Sequence, residues 1–527
     1  MRIQNPGRLI ASSALVAALT AAAPAQLVDR NRMPNTANEG IAKTLAEEIG
    51  MGRGSETQPD SSLYNIKRDP FRAVRRGRQL FQRKFIRAEG QGRVSFDGEL
   101  KLDVNNALGA GLGDSCASCH GRPRGAAGFG GDVATRPDSR NATHLFGLGL
   151  KEMLADEITG DLRAIRARAS AQAKQSGASM TLPLTSKGIG YGSITAKPDG
   201  TFDTSQVAGV NPDLRVRPFF AHGGTISIRE FVVGALNNEL GLQAAEPDLM
   251  RASKGARIET PAGMVLDGSL DAVDAPITDD PNADPDGDGV KNEIPPAVVD
   301  YLEFYLLNYF KPALGEQTDS TAHGRGLMDS AGCTSCHVGN LQINHDRRVA
   351  DVDTVFDPVN GIMNRLFATA RPLVVSVDDL TGSPALKLPA MQPYLVTNIF
   401  TDFKRHDLGP NFHERNYDGT TTTLFMTTAL WGVGSKAPYG HDGRSNSLHE
   451  AILRHGGEAQ SARDNYAALS RADQQDLLNF LGSLILFPPD DTASNLDPGN
   501  RTAAGFPQAG HGSIKLTVLF NDPTIIE

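Results

Sequence analysis

Cysteine is scarce in this chain: 527 residues carry only four. Positive charge is scarce as well, with 52 lysines and arginines against 61 acidic residues and a formal charge of −9. An acidic protein is a poor candidate for nucleic acid and a reasonable one for basic soluble partners. Low-complexity tracts are absent, and one tryptophan, Trp431, serves the whole chain. No segment beyond the N-terminal region reads as membrane-spanning. The most apolar stretch, AVVDYLEFYLLNYF (297–310), contains Asp300 and Glu303 and is shorter than a span. It reads as a buried helix that starts after Pro295-Pro296 and ends before Pro312.

What is plentiful is glycine, 55 residues, and proline, 31, which predict long loops over a helical scaffold. The length predicts two or three domains. At the N-terminus, Arg2 and Arg8 precede an alanine-rich apolar run, Leu9 to Ala23, followed by the small-x-small pattern Ala23-Pro24-Ala25. This predicts a secretory signal cleaved after about Ala25, with an uncleaved anchor as the alternative. Loss of the two arginines takes the formal charge from −9 to −11.

The four cysteines form two copies of one pattern, Cys116-Ala117-Ser118-Cys119-His120 and Cys333-Thr334-Ser335-Cys336-His337. A zinc ribbon brings its two pairs close in sequence, whereas these lie 217 residues apart. A redox dithiol needs one pair in a βαβ setting, and that setting is not evident here. C-x-x-C-H is the attachment pattern of c-type haem. Two thiols form thioethers to the vinyl groups, and the adjacent histidine is held under the iron as proximal ligand. In bacteria this attachment takes place outside the cytoplasm, in agreement with an exported, periplasmic protein. Two covalent haems are therefore expected.

A second repeat accompanies the first. HGGTISIREFVVGA (222–235) lies over DGRSNSLHEAILRH (442–455) without a gap at an offset of 220, matching Gly223 to Gly443, Ser227 to Ser447 and Glu230 to Glu450. Both copies carry serine, an apolar residue, any residue and glutamate, the pattern of a capping box at a helix start. The agreement of the offsets, 217 and 220, argues for a duplicated half. His120 to Glu239 is 119 residues and His337 to His455 is 118, so one half offers a carboxylate where the other offers an imidazole. An imidazole completes six-coordination and suits electron transfer; a carboxylate near an open iron suits proton handling. A helix-end surface histidine is the alternative reading of His455, and a solvated loop carboxylate that of Glu239.

The stretches GRQLFQRKF, SCASCHGRP, HLFGLGLKEM, SIREFVVGALNNELG, GCTSCH, LWGVGSKAPYGHDGRSNSLHEAILRHGGEA and LLNFLGSLILFP span about residues 70 to 485. Together they resemble the bacterial dihaem cytochrome c peroxidase superfamily, including the MauG-type maturation enzymes, and follow the pattern of its dihaem oxidoreductase branch. The resemblance implies a mainly α fold of two cytochrome c-like helical domains with long loops, one covalent haem in each. It implies a peroxidatic first haem and an electron-transfer second haem. Glu239 falls at the family's distal catalytic glutamate, in a segment two residues shorter than the usual N-P-x-E-M-G. His455 falls where the relatives place methionine or tyrosine as far ligand of the second haem, and His441 matches a family histidine near it. The removable histidine that some peroxidases carry after the first motif has no counterpart between His120 and Asn141, so the first haem is expected to be open; His144 is the fallback ligand. Ala221 stands where the family has an interhaem tryptophan. Trp431, Phe219 or Phe220 would have to serve instead, and core packing is the plainer role for Trp431.

The family's interhaem calcium maps onto Asn141, Lys436 and Pro438. A separate calcium candidate is DPDGDGVKNE (284–293), in which Asp284, Asp286 and Asp288 alternate with Gly287 and Gly289. The twelfth position of such a loop, normally glutamate, is Pro295, so Glu293 or Asn292 would substitute; an acidic solvated linker is the alternative. The expected organisation is a signal peptide (1–25), an N-terminal extension (26–68), a first haem domain (69–260), a linker with the possible calcium loop and the buried helix (261–311), a second haem domain (312–490) and a tail (491–527). The expected activity is reduction of hydrogen peroxide, or dioxygen chemistry, at the first haem. Electrons would come through the second haem from a small redox protein, a cytochrome c or cupredoxin. A MauG-like or oxygenase-type oxidation of a protein or organic substrate, and a non-enzymatic dihaem electron-transfer cytochrome, remain open at this stage. No nucleic acid and no membrane span after signal cleavage are expected.

Overall fold

Helix formation begins where the apolar residues of 70–82 fall on one stripe. Pro70 occupies the first turn, where its missing amide costs nothing, and Asp69 caps the Arg72 amide at 3.3 Å. The resulting helix α1 (Pro70–Gln82) buries Ala73, Val74, Gly77, Leu80 and Phe81. The computed structural model describes residues 44–92, 113–121, 127–128, 132–133, 140–309, 311–351, 371–416 and 419–486. The expected signal peptide and C-terminal tail lie outside them. A one-turn helix α2 (Cys116–His120) carries the first cysteine motif. Helix α3 (Leu148–Ser176) is the longest, closed at its end by Gly177 in the left-handed conformation.

Two antiparallel strands follow, Met180–Ser186 and Ile189–Ala196, joined at Lys187-Gly188, with a short third strand, Phe202–Asp203. Their alternating inward residues Leu184, Ile189, Tyr191 and Ile194 pack with Ile158, Leu162 and Ile165 of α3, and with Val396, Ile399, Phe403 and Trp431, into one core. Helix α4 (Ile228–Ala235) is capped by Ser227, whose Oγ accepts the Glu230 amide at 3.1 Å, while the Glu230 carboxylate accepts the Ser227 amide at 3.1 Å. Helix α5 (Pro296–Leu307) buries every residue from Ala297 to Leu307. It crosses α1 so closely that a Cβ on Gly77 would lie 2.2 Å from the Tyr301 carbonyl. Helix α6 (Asp319–Ser330), helix α7 (Leu448–Arg454) and helix α8 (Arg471–Gly482) complete the main scaffold. The α6–α8 contact repeats the device, since a Cβ on Gly324 would lie 1.9 Å from the Asp476 carbonyl. A second core joins Met328, Phe400, Tyr439, Tyr466, Leu477 and Phe480.

The expectation of a mainly α fold made of two cytochrome c-like helical domains is overturned. The chain is a mixed α/β fold, 37% helical and 17% strand, with its strands spread over many small sheets. Nine sheets occur among the described residues, eight of them two-stranded. The physical reason lies in the long connections. Where a glycine- and proline-rich segment is held against the core, its amides and carbonyls need partners, and short antiparallel pairs supply them. Among the described residues, no helix is long and apolar enough to cross a membrane.

The duplication is visible in three dimensions. Bridges Phe219–Thr225 and Tyr439–Ser445 are both antiparallel and 220 residues apart. Gly223 and Gly443 both take positive φ, 70° and 65°. Ser447 caps α7 as Ser227 caps α4, its Oγ accepting the Glu450 amide at 3.0 Å.

The acidic residues of α5 are explained by α4. Arg229, fully buried, donates to Glu246 at 2.6 Å, Asp300 at 3.0 Å and Glu303 at 2.7 Å. Glu303 also accepts from Thr260 at 2.6 Å, and Asp300 from Ser62 at 2.6 Å. Arg229→Met would leave three buried carboxylates without their shared cation. The expected loss is ~3–5 kcal/mol, read from the thermal unfolding midpoint; a loss below ~1 kcal/mol would contradict the clamp.

Candidate functional site

Both cysteine–histidine motifs open into one cavity of about 1870 Å³. That is roughly twice the upper end of a single small-molecule pocket, ~1,000 Å³. Cys116, Cys119, His120, Glu239, Cys333, Cys336, His337 and His455 all line it. The first motif is launched by Ser115, whose Oγ accepts the Ser118 amide at 3.1 Å. The second follows Gly332, left-handed at φ 88°, as a single 3-10 turn over Cys333–Ser335.

The two motif histidines are held alike. His120 Nδ1 lies 2.8 Å from the Thr143 carbonyl, and His337 Nδ1 lies 3.0 Å from the Phe400 carbonyl. A carbonyl only accepts, so Nδ1 carries the proton and Nε2 keeps its lone pair. Removal from water lowers both imidazoles to about 4, which keeps them neutral at pH 7. Each is a ligand-ready base with a fixed tautomer. The cysteines are free thiols, and burial pushes Cys116 up to about 12 and Cys333 to about 11. Thiols so raised are poor nucleophiles and so unlike a reactive dithiol. Nor does any ion-sized cluster of His, Cys, Asp and Glu among the described residues join the two pairs. The separation of the two pairs argues against one zinc site that joins them, and the raised thiols argue against a dithiol. Paired thiols beside a lone-pair nitrogen, in a large and mainly apolar cavity, fit a haem.

Glu239 sits where α4 widens into a π-helical turn, Leu236–Leu240, ended by Gly241 at φ 67°. Its charge acts on the Cys119 thiol, whose pKa is raised by burial first and then by Glu239 and Asp114. The carboxylate thus belongs to the first motif's side of the cavity. His455 caps the end of α7, with Nδ1 2.8 Å from the Ala451 carbonyl and Phe412 edge-on at 5.2 Å. Burial lowers its pKa, and its charge acts in turn on His337. His441 is stacked on Phe425 at 4.2 Å and pairs with Glu414 at 3.5 Å.

The other sequence candidates separate. His144 is tied through Nε2 to the Trp431 carbonyl at 3.0 Å, and Trp431 is a buried core residue that also lines the cavity. Phe219, Phe220 and Ala221 line the same cavity. Lys436 lies close enough to His120 and His144 for its charge to lower both. The Asn141 side chain lies outside the described residues, as does most of the loop after His120. Pro438 follows Lys436 in the turn leading to Tyr439. Asp284, Asp286 and Asp288 do come together, with ligand atoms within 4.8 Å of one another.

Two cavity residues were not foreseen. Lys151, on α3, has its ammonium lowered to about 8 by burial and forms no ion pair among the described residues; it lies over the Phe219 ring at 5.8 Å. A cation so placed suits an anionic group of a bound cofactor. His406 lies between Asp402 at 2.9 Å and Glu458 at 2.7 Å, beside Cys336. Its only sequence signal was the Asp402–His406 spacing of four, and Glu458 is 52 residues away.

Burial alone would lower His406; the hydrogen bonds to Asp402, Cys336 and Glu458 outweigh it and raise the imidazole to about 10. Because the folded pKa lies above the unfolded one, ~6.5, this stabilisation is complete below pH ~6.5 and is lost as pH rises through about 10. The gap in thermal midpoint between the wild type and His406→Gln should therefore be widest near pH ~6 and close as the pH approaches about 10. A gap independent of pH would show that the imidazolium does not form.

Comparison with known proteins bears on the second half of the chain. Residues 361–484 match the family described as di-haem oxidoreductase, putative peroxidase. No curated protein matches the chain. The match covers the segment that contributes His406, His441 and His455 to the cavity, and over that segment it supports a likeness to the dihaem peroxidase-type branch of oxidoreductases.

Proposed function

We propose that the protein is a periplasmic dihaem c-type oxidoreductase that reduces hydrogen peroxide at its first haem. Electrons are relayed through the second haem from an external small redox protein, a cytochrome c or cupredoxin. Cys116 and Cys119 would hold the first haem, with His120 as its histidine ligand. Cys333 and Cys336 would hold the second, with His337 and His455 both available to its iron. When bound, the haems supply the redox-active iron that the side chains lack.

The observation that carries this reading is an asymmetry between two matched halves. Turn, cap and helix repeat, yet the first half presents Glu239 beside Cys119 and the second presents His455 near His337. Two imidazoles with fixed tautomers suit a haem that only changes oxidation state. A carboxylate facing an open side suits proton transfer: Glu239 takes a proton from one peroxide oxygen and returns it to the departing one. The neutral state of His120 and its bond to the Thr143 carbonyl keep Nε2 directed into the cavity throughout. Lys151 would pair with an anionic group of the cofactor, and that pairing would keep its ammonium charged despite burial.

Glu239→Gln keeps the shape and removes the base. Peroxide turnover with a reduced donor protein should fall at least about tenfold, while the content of covalently bound haem stays at two per chain. Turnover equal to the wild type in a fully loaded variant would take Glu239 out of the mechanism.

A further inference from the structure

The loop at 284–293 has no part in the function proposed above. Asp284, Asp286 and Asp288 occupy alternate positions, with Gly289 in the left-handed conformation at φ 89° directly after the third. Their carboxylates converge to within 4.8 Å. Clustered acids alone would prove nothing, since Asp284 and Asp288 also accept amides of their own loop. The decisive residue is Glu293. It is only 3% exposed, and its Oε2 accepts the Gln243 amide at 2.7 Å. Its Oε1 is buried without a hydrogen-bond partner, and the charges of all three aspartates act on it. Asp286 Oδ2 is likewise without a partner. The backbone leaves room for this inward pose, because a Cβ on Gly90 would lie 2.3 Å from the Glu293 carboxyl carbon.

We propose that Asp284, Asp286, Asp288 and Glu293 bind one calcium ion. Three converging carboxylates, and a buried glutamate oxygen without a partner within reach of their charges, call for a cation between them. Oxygen-only donors on a flexible loop, with room for carbonyls and waters to reach six to eight ligands, suit calcium better than magnesium. Glu293 replaces the acid normally found at the twelfth position, where this chain has Pro295. The ion would also fasten the segment after Glu239. Glu293 holds Gln243, Ile294 donates to the Gln243 carbonyl at 3.3 Å, and Ala244 and Ile294 pair as a parallel bridge.

The test is calcium titration of the haem-loaded protein after chelation, by calorimetry and by thermal unfolding, for the wild type and for Asp286→Asn/Asp288→Asn. The wild type should take up one equivalent more than the variant, or bind it at least about tenfold more tightly. Part of its calcium-induced rise in thermal midpoint should be missing from the variant. Without calcium, the variant should be at least as stable as the wild type, because two of the opposed charges are gone. Equal stoichiometry and affinity would overturn the site. So would a calcium-free variant less stable than calcium-free wild type, the mark of aspartates that only brace the loop. Should the double variant fail to fold, Glu293→Gln is the second probe, and a stripped wild type that takes up no calcium overturns the proposal without any variant.

Discussion

The Arg229 guanidinium is the fixed point on which the first half of the site depends. It is wholly buried and paired with Glu246, Asp300 and Glu303, carried by two separate stretches of chain. A buried cation cannot move without stranding its partners, so α4 has one position against α5. Helix α4 runs directly into the π-turn that bears Glu239. Glu246 in turn caps the helix Pro247–Ser253 through the Asp248 amide at 2.8 Å. The carboxylate at 239 is therefore held between a charge clamp on one side and the 284–293 loop, through Gln243, on the other.

Duplication explains how one cavity comes to be lined by two matched frames with unlike side chains. The halves share a cysteine–histidine turn, a glycine turn closed by an antiparallel bridge, and a serine-capped helix. They differ in how that helix ends. In the second half α7 stops at His455, whose Nδ1 turns back to the Ala451 carbonyl, before Gly456-Gly457. In the first half the helix continues through the π-turn and delivers an acid instead. A change at one helix end thus suffices to alter what faces the cavity while the frame that supports it stays the same.

Much of the site was legible because its chemistry dictates local order. The two C-x-x-C-H motifs, the capping boxes and the acid-for-imidazole exchange are all read within short stretches, and the cavity gathers them. The buried helix after Pro295-Pro296 was legible too, although its acids had no meaning until Arg229 was placed beside them. The fold class was not. MTLPLTSKGIGYGSITA (180–196) carries the alternation of two strands around a Lys-Gly turn, but helical expectations from the resemblance outweighed it. The remaining strands, two to four residues each, have no pattern of their own and exist only where the chain finds a partner. The same limit hid His406, whose partners are Asp402 four residues before it, Glu458 on a 3-10 turn 52 residues on, and the second cysteine turn.

The central claim is that matched frames carry unlike irons, one open beside Glu239 and one closed by His337 and His455. Electron paramagnetic resonance of the oxidised, resting protein tests it most directly. The account predicts one high-spin and one low-spin haem in equal amounts, the low-spin signal being lost on His455→Ala. Two low-spin six-coordinate haems in the resting wild type would contradict it.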